Sequence, residues 1–126
     1  MLQKFLKSKI HRASVTGCDL DYEGSILVDS DLLAAAHIHS FESVQIWNVT
    51  NGERFETYAI PGPAGSGEVM LNGAAARRVQ VKDKIIVATF CWLSEQEAAQ
   101  HDPVIVLVDG SNKPLPRQSN VREELE

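Results

Sequence analysis

Ser43-Val44-Gln45-Ile46-Trp47-Asn48-Val49-Thr50-Asn51-Gly52-Glu53-Arg54-Phe55-Glu56-Thr57-Tyr58-Ala59-Ile60 reads as two strands joined by a turn. Val44 and Ile46 share one face of the first strand, Gln45 and Trp47 the other. Asn-Gly between two β-patterned runs is the strongest short-range hairpin signal, because both residues tolerate positive φ. In the returning strand, alternation puts Arg54, Glu56, Tyr58 and Ile60 on one side and Phe55, Thr57 and Ala59 on the other. Arg54 and Tyr58 then stand ~13 Å apart along the backbone, at ~3.3 Å per residue. Two long side chains could still converge on one small ligand. Taken alone, Arg54 reads equally well as an exposed residue paired with Glu56 on the same face.

More short strands lie on either side of this hairpin. Towards the N-terminus, Lys4 to Val15 alternates, with lysines on one face and Leu6 and Ile10 on the other. By itself Lys9 reads as a solvated strand lysine. Thr16–Leu20 and Ile26–Asp29 flank the segment Tyr22-Glu23-Gly24-Ser25. Asp29-Ser30-Asp31 supplies N-cap residues for a short helix over Leu32–Ala36, with His37 and His39 at its end. Towards the C-terminus, Pro61–Gly67 is a loop by composition, and Glu68–Leu71 is a short strand. Asn72-Gly73 turns the chain into a brief helical segment, Ala74–Arg78. Ile85–Phe90 is an apolar run expected to be buried on both faces. Ser94 to Glu97 forms a capping box, and Val104–Val108 is the last strand. Six or seven short strands with brief helices predict a mainly β protein whose natural solution is a small closed barrel. The barrel is expected over residues 1–110, with a polar, flexible tail over 111–126.

Composition narrows the function. The 126 residues fit one domain, and the net charge of −5 argues against nucleic acid as a partner. No apolar run reaches the roughly 18 residues of a membrane helix. The N-terminus shows no signal-peptide pattern, so a cytoplasmic protein is expected. Cys18 and Cys91 lack metal-ligand spacing and are expected to be free, buried thiols in a reducing compartment. His37 and His39 have no carboxylate or cysteine neighbours, so no metal site is expected.

Gly24-Ser25 is a candidate for chemistry on the chain itself. A serine hydroxyl can attack the preceding carbonyl through a five-membered ring. Peptide resonance opposes this, holding the amide planar behind a barrier of roughly 18–20 kcal/mol. Glycine on the acyl side adds little bulk and tolerates conformations that other residues do not. A folded scaffold could therefore bend the bond. Gly-Ser is also an ordinary turn dipeptide, so the rest of the chain must decide between the two readings.

Lys9-Ile10-His11-Arg12, Asp19-Leu20-Asp21-Tyr22-Glu23-Gly24-Ser25, Ile46-Trp47-Asn48-Val49-Thr50-Asn51-Gly52, Arg54-Phe55, Thr57-Tyr58-Ala59-Ile60 and Asn72-Gly73-Ala74-Ala75-Ala76 together resemble the aspartate 1-decarboxylases. These are the pyruvoyl-dependent enzymes of bacterial pantothenate synthesis, and the resemblance covers about residues 1–110. It implies a double-psi β-barrel, assembled as a homotetramer with active sites between subunits. The implied reaction converts L-aspartate to β-alanine and carbon dioxide. The implied cofactor is a pyruvoyl group made from Ser25 by self-cleavage after Gly24, which forms a Schiff base with the substrate; neither metal nor pyridoxal phosphate is implied. Tyr58 is the implied proton donor, and Thr57 contacts substrate and supports processing. The backbone of Gly73, Ala74 and Ala75 binds substrate, Arg54 and Lys9 supply positive charge for its carboxylates, and Asn72 lines the site. A non-catalytic barrel acting as a binding module, or a pyruvoyl enzyme for another amino acid, would be the alternatives.

Overall fold

The computed structural model describes residues 1–116. Eight strands form one sheet: β1 (Gln3–Ser14), β2 (Gly17–Asp19), β3 (Ser25–Asp29), β4 (Ser43–Asn48), β5 (Arg54–Gly62), β6 (Val69–Asn72), β7 (Lys84–Leu93) and β8 (Val104–Leu107). Short helices α1 (Ser30–Ala35) and α2 (Glu95–Ala99) and a 3₁₀ turn over Gly73–Arg78 fill the connections. The eighth strand, beyond the seven apolar or alternating runs of the sequence, is β2. Its three residues are too few to carry a pattern.

The strand order is β2-β6-β3-β5-β4-β7-β1-β8. β1 lies near one end of this order and β2 at the other, yet only Val15 and Thr16 separate them in sequence. The two ends of the sheet must therefore meet, so the sheet curls into a barrel. The join is hydrogen-bonded: Val15 donates to the Asp83 carbonyl at 2.9 Å and Thr16 to that of Val69 at 2.8 Å. Two register shifts in β1 against β7, between Leu6 and Ser8 and between Ile10 and Ala13, bend the long strand into this curve. Parallel pairs β1–β8, β2–β6 and β3–β5 sit among antiparallel ones. These crossed connections fit a double-psi barrel.

Inward side chains alternate along the strands. Ile10, Ile26, Val28, Val44, Ile46, Leu71, Ile85 and Val87 are fully buried, and Leu32 and Leu33 of α1 pack against them. The apolar run Ile85–Phe90 of β7 is buried on both faces only at its centre, Val87, Ala88 and Thr89. Ile85 and Val87 point inward, while Ile86 and Phe90 are half-exposed and Trp92 is 62% exposed. The thiols also differ from expectation: Cys18 is exposed and Cys91 half-buried, because each lies on a strand position outside the core.

The β4–β5 hairpin forms with Trp47 opposite Arg54. Asn48 shapes its loop, accepting from Thr50 N at 2.9 Å while its amide donates to buried Asp83 at 2.8 Å. The capping box at Ser94 forms as its sequence requires. α1 is capped by Asp29, and His37 follows it in the left-handed position (φ 56°) that ends the helix. Ser111 to Pro116 stays on the barrel instead of leaving it at Gly110. Asn112 is buried and bridges the Ser14 backbone and the Gly67 carbonyl, each at 2.8 Å. The remainder of the expected tail, 117–126, lies outside the described residues.

Candidate active site

Ser25 opens β3 and is 1% exposed. Its hydroxyl donates to the Glu23 carbonyl at 3.2 Å and accepts from Asn72 Nδ2 at 3.1 Å. Asn72 is directly opposite Ser25 across the antiparallel β3–β6 ladder. Its Oδ1 is buried and has no hydrogen-bond partner among the described residues, so one acceptor beside the serine is unused there. An unpaired buried acceptor costs free energy, which marks a place where a ligand or reacting group can be received.

Gly73 follows with φ +66°. A Cβ there would stand 2.7 Å from Gly24 Cα, 2.8 Å from Gly24 N and 3.1 Å from the Tyr22 carbonyl. The Tyr22–Gly24 turn is thus pressed onto the start of the 3₁₀ segment, and only glycine permits it. A Cβ on Gly24 would meet nothing within 4 Å, so its approach is open on the other side. Together these features fix the serine hydroxyl between Asn72 and the Glu23 carbonyl and hold the Gly24 backbone against Gly73.

β5 runs parallel to β3, with Ile26 level with Ala59. Carried back one residue, this register sets Ser25 level with Tyr58. Thr57 points with Ala59 and Phe55 towards the core, and Tyr58 points to the outer face. Ala74 and Ala75 continue from Gly73, Ala74 exposed and Ala75 partly buried. The fold therefore brings together Gly24, Ser25, Asn72 and Gly73, with Ala74 and Ala75 next in sequence, and the β3–β5 register sets Thr57 and Tyr58 on the neighbouring strand.

Arg54 and Lys9 are not gathered within one chain. Arg54 lies four residues before Tyr58, and its guanidinium covers the Trp47 ring at 4.5 Å. It does not pair with Glu56, which accepts from Ser43 Oγ and Gln45 Nε2, both at 2.8 Å. Lys9 sits on β1 opposite Ala88, four places from β3 in the sheet. Beside it, the His11 imidazole is held below its usual pKa, first by burial and then by the charges of Lys9 and Arg12. Sequence reasoning passed over two aromatic residues at the site. Trp47 carries Arg54, and Phe41 stands against Tyr58 with ring centroids 6.2 Å apart. The alternation of β4 and the pairing across Asn51-Gly52 could have found Trp47. Nothing in the loop around Phe41 signals its position.

A mainly β barrel that seats a buried serine, preceded by an exposed glycine, against an asparagine defines a class of small β-barrel proteins with a serine-centred candidate site. The family model for aspartate decarboxylase matches residues 1–115. An aspartate 1-decarboxylase of Stenotrophomonas maltophilia is 60% identical over 108 residues, 86% of each chain. One of Caldicellulosiruptor saccharolyticus is 53% identical over 126 residues, all of this chain and 98% of its own. One of Syntrophotalea carbinolica is 52% identical over 119 residues, 94% of this chain and 91% of its own. The chain belongs to the aspartate decarboxylase family.

Proposed function

We propose that this protein decarboxylates L-aspartate to β-alanine at a site built on Ser25, which provides β-alanine for pantothenate synthesis. The observation that carries the reading is the environment of the Gly24-Ser25 bond. The serine hydroxyl is fixed by Asn72, and Gly73 holds the preceding turn close. Attack of Ser25 Oγ on the Gly24 carbonyl exchanges the amide for an ester. Elimination across Ser25 Cα–Cβ then frees Gly24 as a carboxylate, and hydrolysis of the remaining dehydroalanine leaves pyruvoyl and ammonia. The oxyanion formed in the attack needs a fixed donor, and one such donor typically contributes about 2.7–4 kcal/mol. Thr57, on the strand beside β3, is the residue we assign to it.

A pyruvoyl group at residue 25 supplies an electron sink for the pair left on carbon as carbon dioxide departs. The chain's own residues do the rest. Tyr58, level with Ser25, returns a proton to that carbon. The backbone of Gly73, Ala74 and Ala75 and the Asn72 side chain orient the substrate. Arg54 and Lys9 face the outside of the barrel, on the β5-β4-β7-β1 wall, three strand spacings of ~4.8 Å apart and offset by two residues in register. Side chains on an outer wall can serve a neighbouring copy's Ser25. This supports an assembly of like chains, a homotetramer in the form the family resemblance implies, with sites between copies.

Intact mass of the purified protein tests the reading. A short fragment ending at Gly24 and a long fragment blocked at residue 25 are expected, together with β-alanine formed from aspartate. A single uncut chain with full activity would overturn the processing step. Equal turnover of glutamate would overturn the substrate.

A further inference from the structure

Phe41 combines two unfavourable features. Its backbone is left-handed, with φ 70°, a region that residues with large side chains rarely enter. Its ring is 74% exposed, so burial does not offset the strain. Such a conformation persists only where the surroundings over-determine it, and here they do. Phe41 N donates to the Ala59 carbonyl at 2.7 Å, and Ala59 N donates to that of Glu42 at 3.0 Å. Glu42 is itself fixed: its Oε1 accepts from His39 N at 3.0 Å, and its Oε2 pairs with Lys7 at 2.6 Å. Lys7 also donates to the His37 carbonyl at 2.9 Å.

This clamp docks the turn beside β5 at Ala59, the residue after Tyr58. It delivers the Phe41 ring to the phenol, 6.2 Å between centroids and tilted by 37°. Among the described residues, Tyr58 is the one aromatic ring against which Phe41 stacks. Asparagine at this position would relieve the strain and the exposure together.

We propose that Phe41 is a positioning residue for the reaction, a ring held in a strained turn to fix the Tyr58 phenol. The inference rests on the assignment of Tyr58 as proton donor. It concerns the proton-return step only, because the clamp touches β5 and not the Gly24-Ser25 bond.

The test uses Phe41→Asn and Phe41→Tyr, each alone and combined with Tyr58→Phe, in the full-length protein. Phe41→Asn should melt at the same temperature or higher, assemble normally and be cleaved after Gly24 as before. NMR of ¹³C-labelled tyrosine should show the Tyr58 ring resonances shifted. kcat for aspartate should fall about fivefold to tenfold, the scale of one aromatic pair, with KM changed less than about twofold. Phe41→Tyr should restore the turnover. In the Tyr58→Phe background, Phe41→Asn should cause no further loss. The proposal is overturned by an unmoved Tyr58 resonance, by unchanged kcat, by the same additional loss without the phenol, or by a loss of activity that follows loss of assembly. Full turnover by Tyr58→Phe alone would remove the proton-donor assignment instead. The resonance would then decide by itself whether Phe41 fixes the ring.

Discussion

At Gly73, one missing carbon decides what the neighbouring turn can do. A side chain there would meet Gly24 at 2.7 Å while also occupying left-handed backbone. We expect Gly73→Ala to lower stability by at least ~1–2 kcal/mol, the usual penalty of that backbone region. It should also slow the proposed cleavage after Gly24, because the turn that carries that bond would be displaced from Gly73. Urea unfolding of a Ser25→Ala background isolates the first effect, and a time course of intact mass reads the second. Equal stability and an equal cleavage rate would show that the turn simply moves aside. Gly24-Ser25 stood out in the sequence as a bond that can react, though it also reads as an ordinary turn, and the role expected of Tyr58 came from the family resemblance alone. Phe41 was not legible. Its role depends on a left-handed backbone imposed by Ala59, Glu42 and Lys7, and none of these has a spacing that announces it.

The end of β3 shows how one carboxylate joins several elements. Asp29 is fully buried and accepts from Asp31 N at the start of α1 and from Gly65 N and Gly67 N in the 61–67 loop. Burial alone would raise its pKa. The three amides and the nearby Lys113 charge outweigh that and lower it. The unfolded chain therefore binds this proton more readily than the native one. The stability supplied by Asp29 is complete above the ordinary aspartate range near pH 4 and is lost as pH falls through the lowered native value. Asp29→Ala should cost at least ~2 kcal/mol at neutral pH, as a lost cap plus charged hydrogen bonds. Its stability should also change less than the parent's below pH 4, and denaturation at stepped pH would show parallel curves if Asp29 played no part. The N-cap was legible from Asp29-Ser30-Asp31. The grip on the loop was not, because Gly65 and Gly67 lie more than thirty residues away. Gly67 in turn receives Asn112, so the polar composition after Gly110 concealed a segment that seals the barrel. Asn112→Ala should lower the melting temperature by several degrees, since buried amide bonds to Ser14 and Gly67 would go unmade. An unchanged melting temperature would return Ser111–Pro116 to the status of a tail.

Across the whole molecule, the hairpin and the alternating strands were readable, while closure was not. It depends on β1 reaching β2 through Val15 and Thr16. The separation of Arg54 and Lys9 from Ser25 has its own test. If the outer wall of one copy serves the serine of another, two inactive variants should complement. Ser25→Ala chains coexpressed with Arg54→Ala chains should recover a measurable fraction of decarboxylase activity, and hybrids as inactive as the parents would place the whole site in a single chain. The strand order carries one more implication. The Gly24-Ser25 bond joins β2 to β3, and β6 lies between them, paired to both. β1, on the same side of that bond as β2, pairs with β7 and β8. A chain cut there would be stitched through the barrel wall on both sides of the nick, so the pieces would stay together without a covalent link. Once melted, however, they would have to find each other by diffusion. Before the cut the folding of one chain is a unimolecular event; after it, recovery becomes a second-order encounter whose yield falls on dilution. The cut would turn a renewable fold into one that is assembled once and then persists by the slowness of its unfolding.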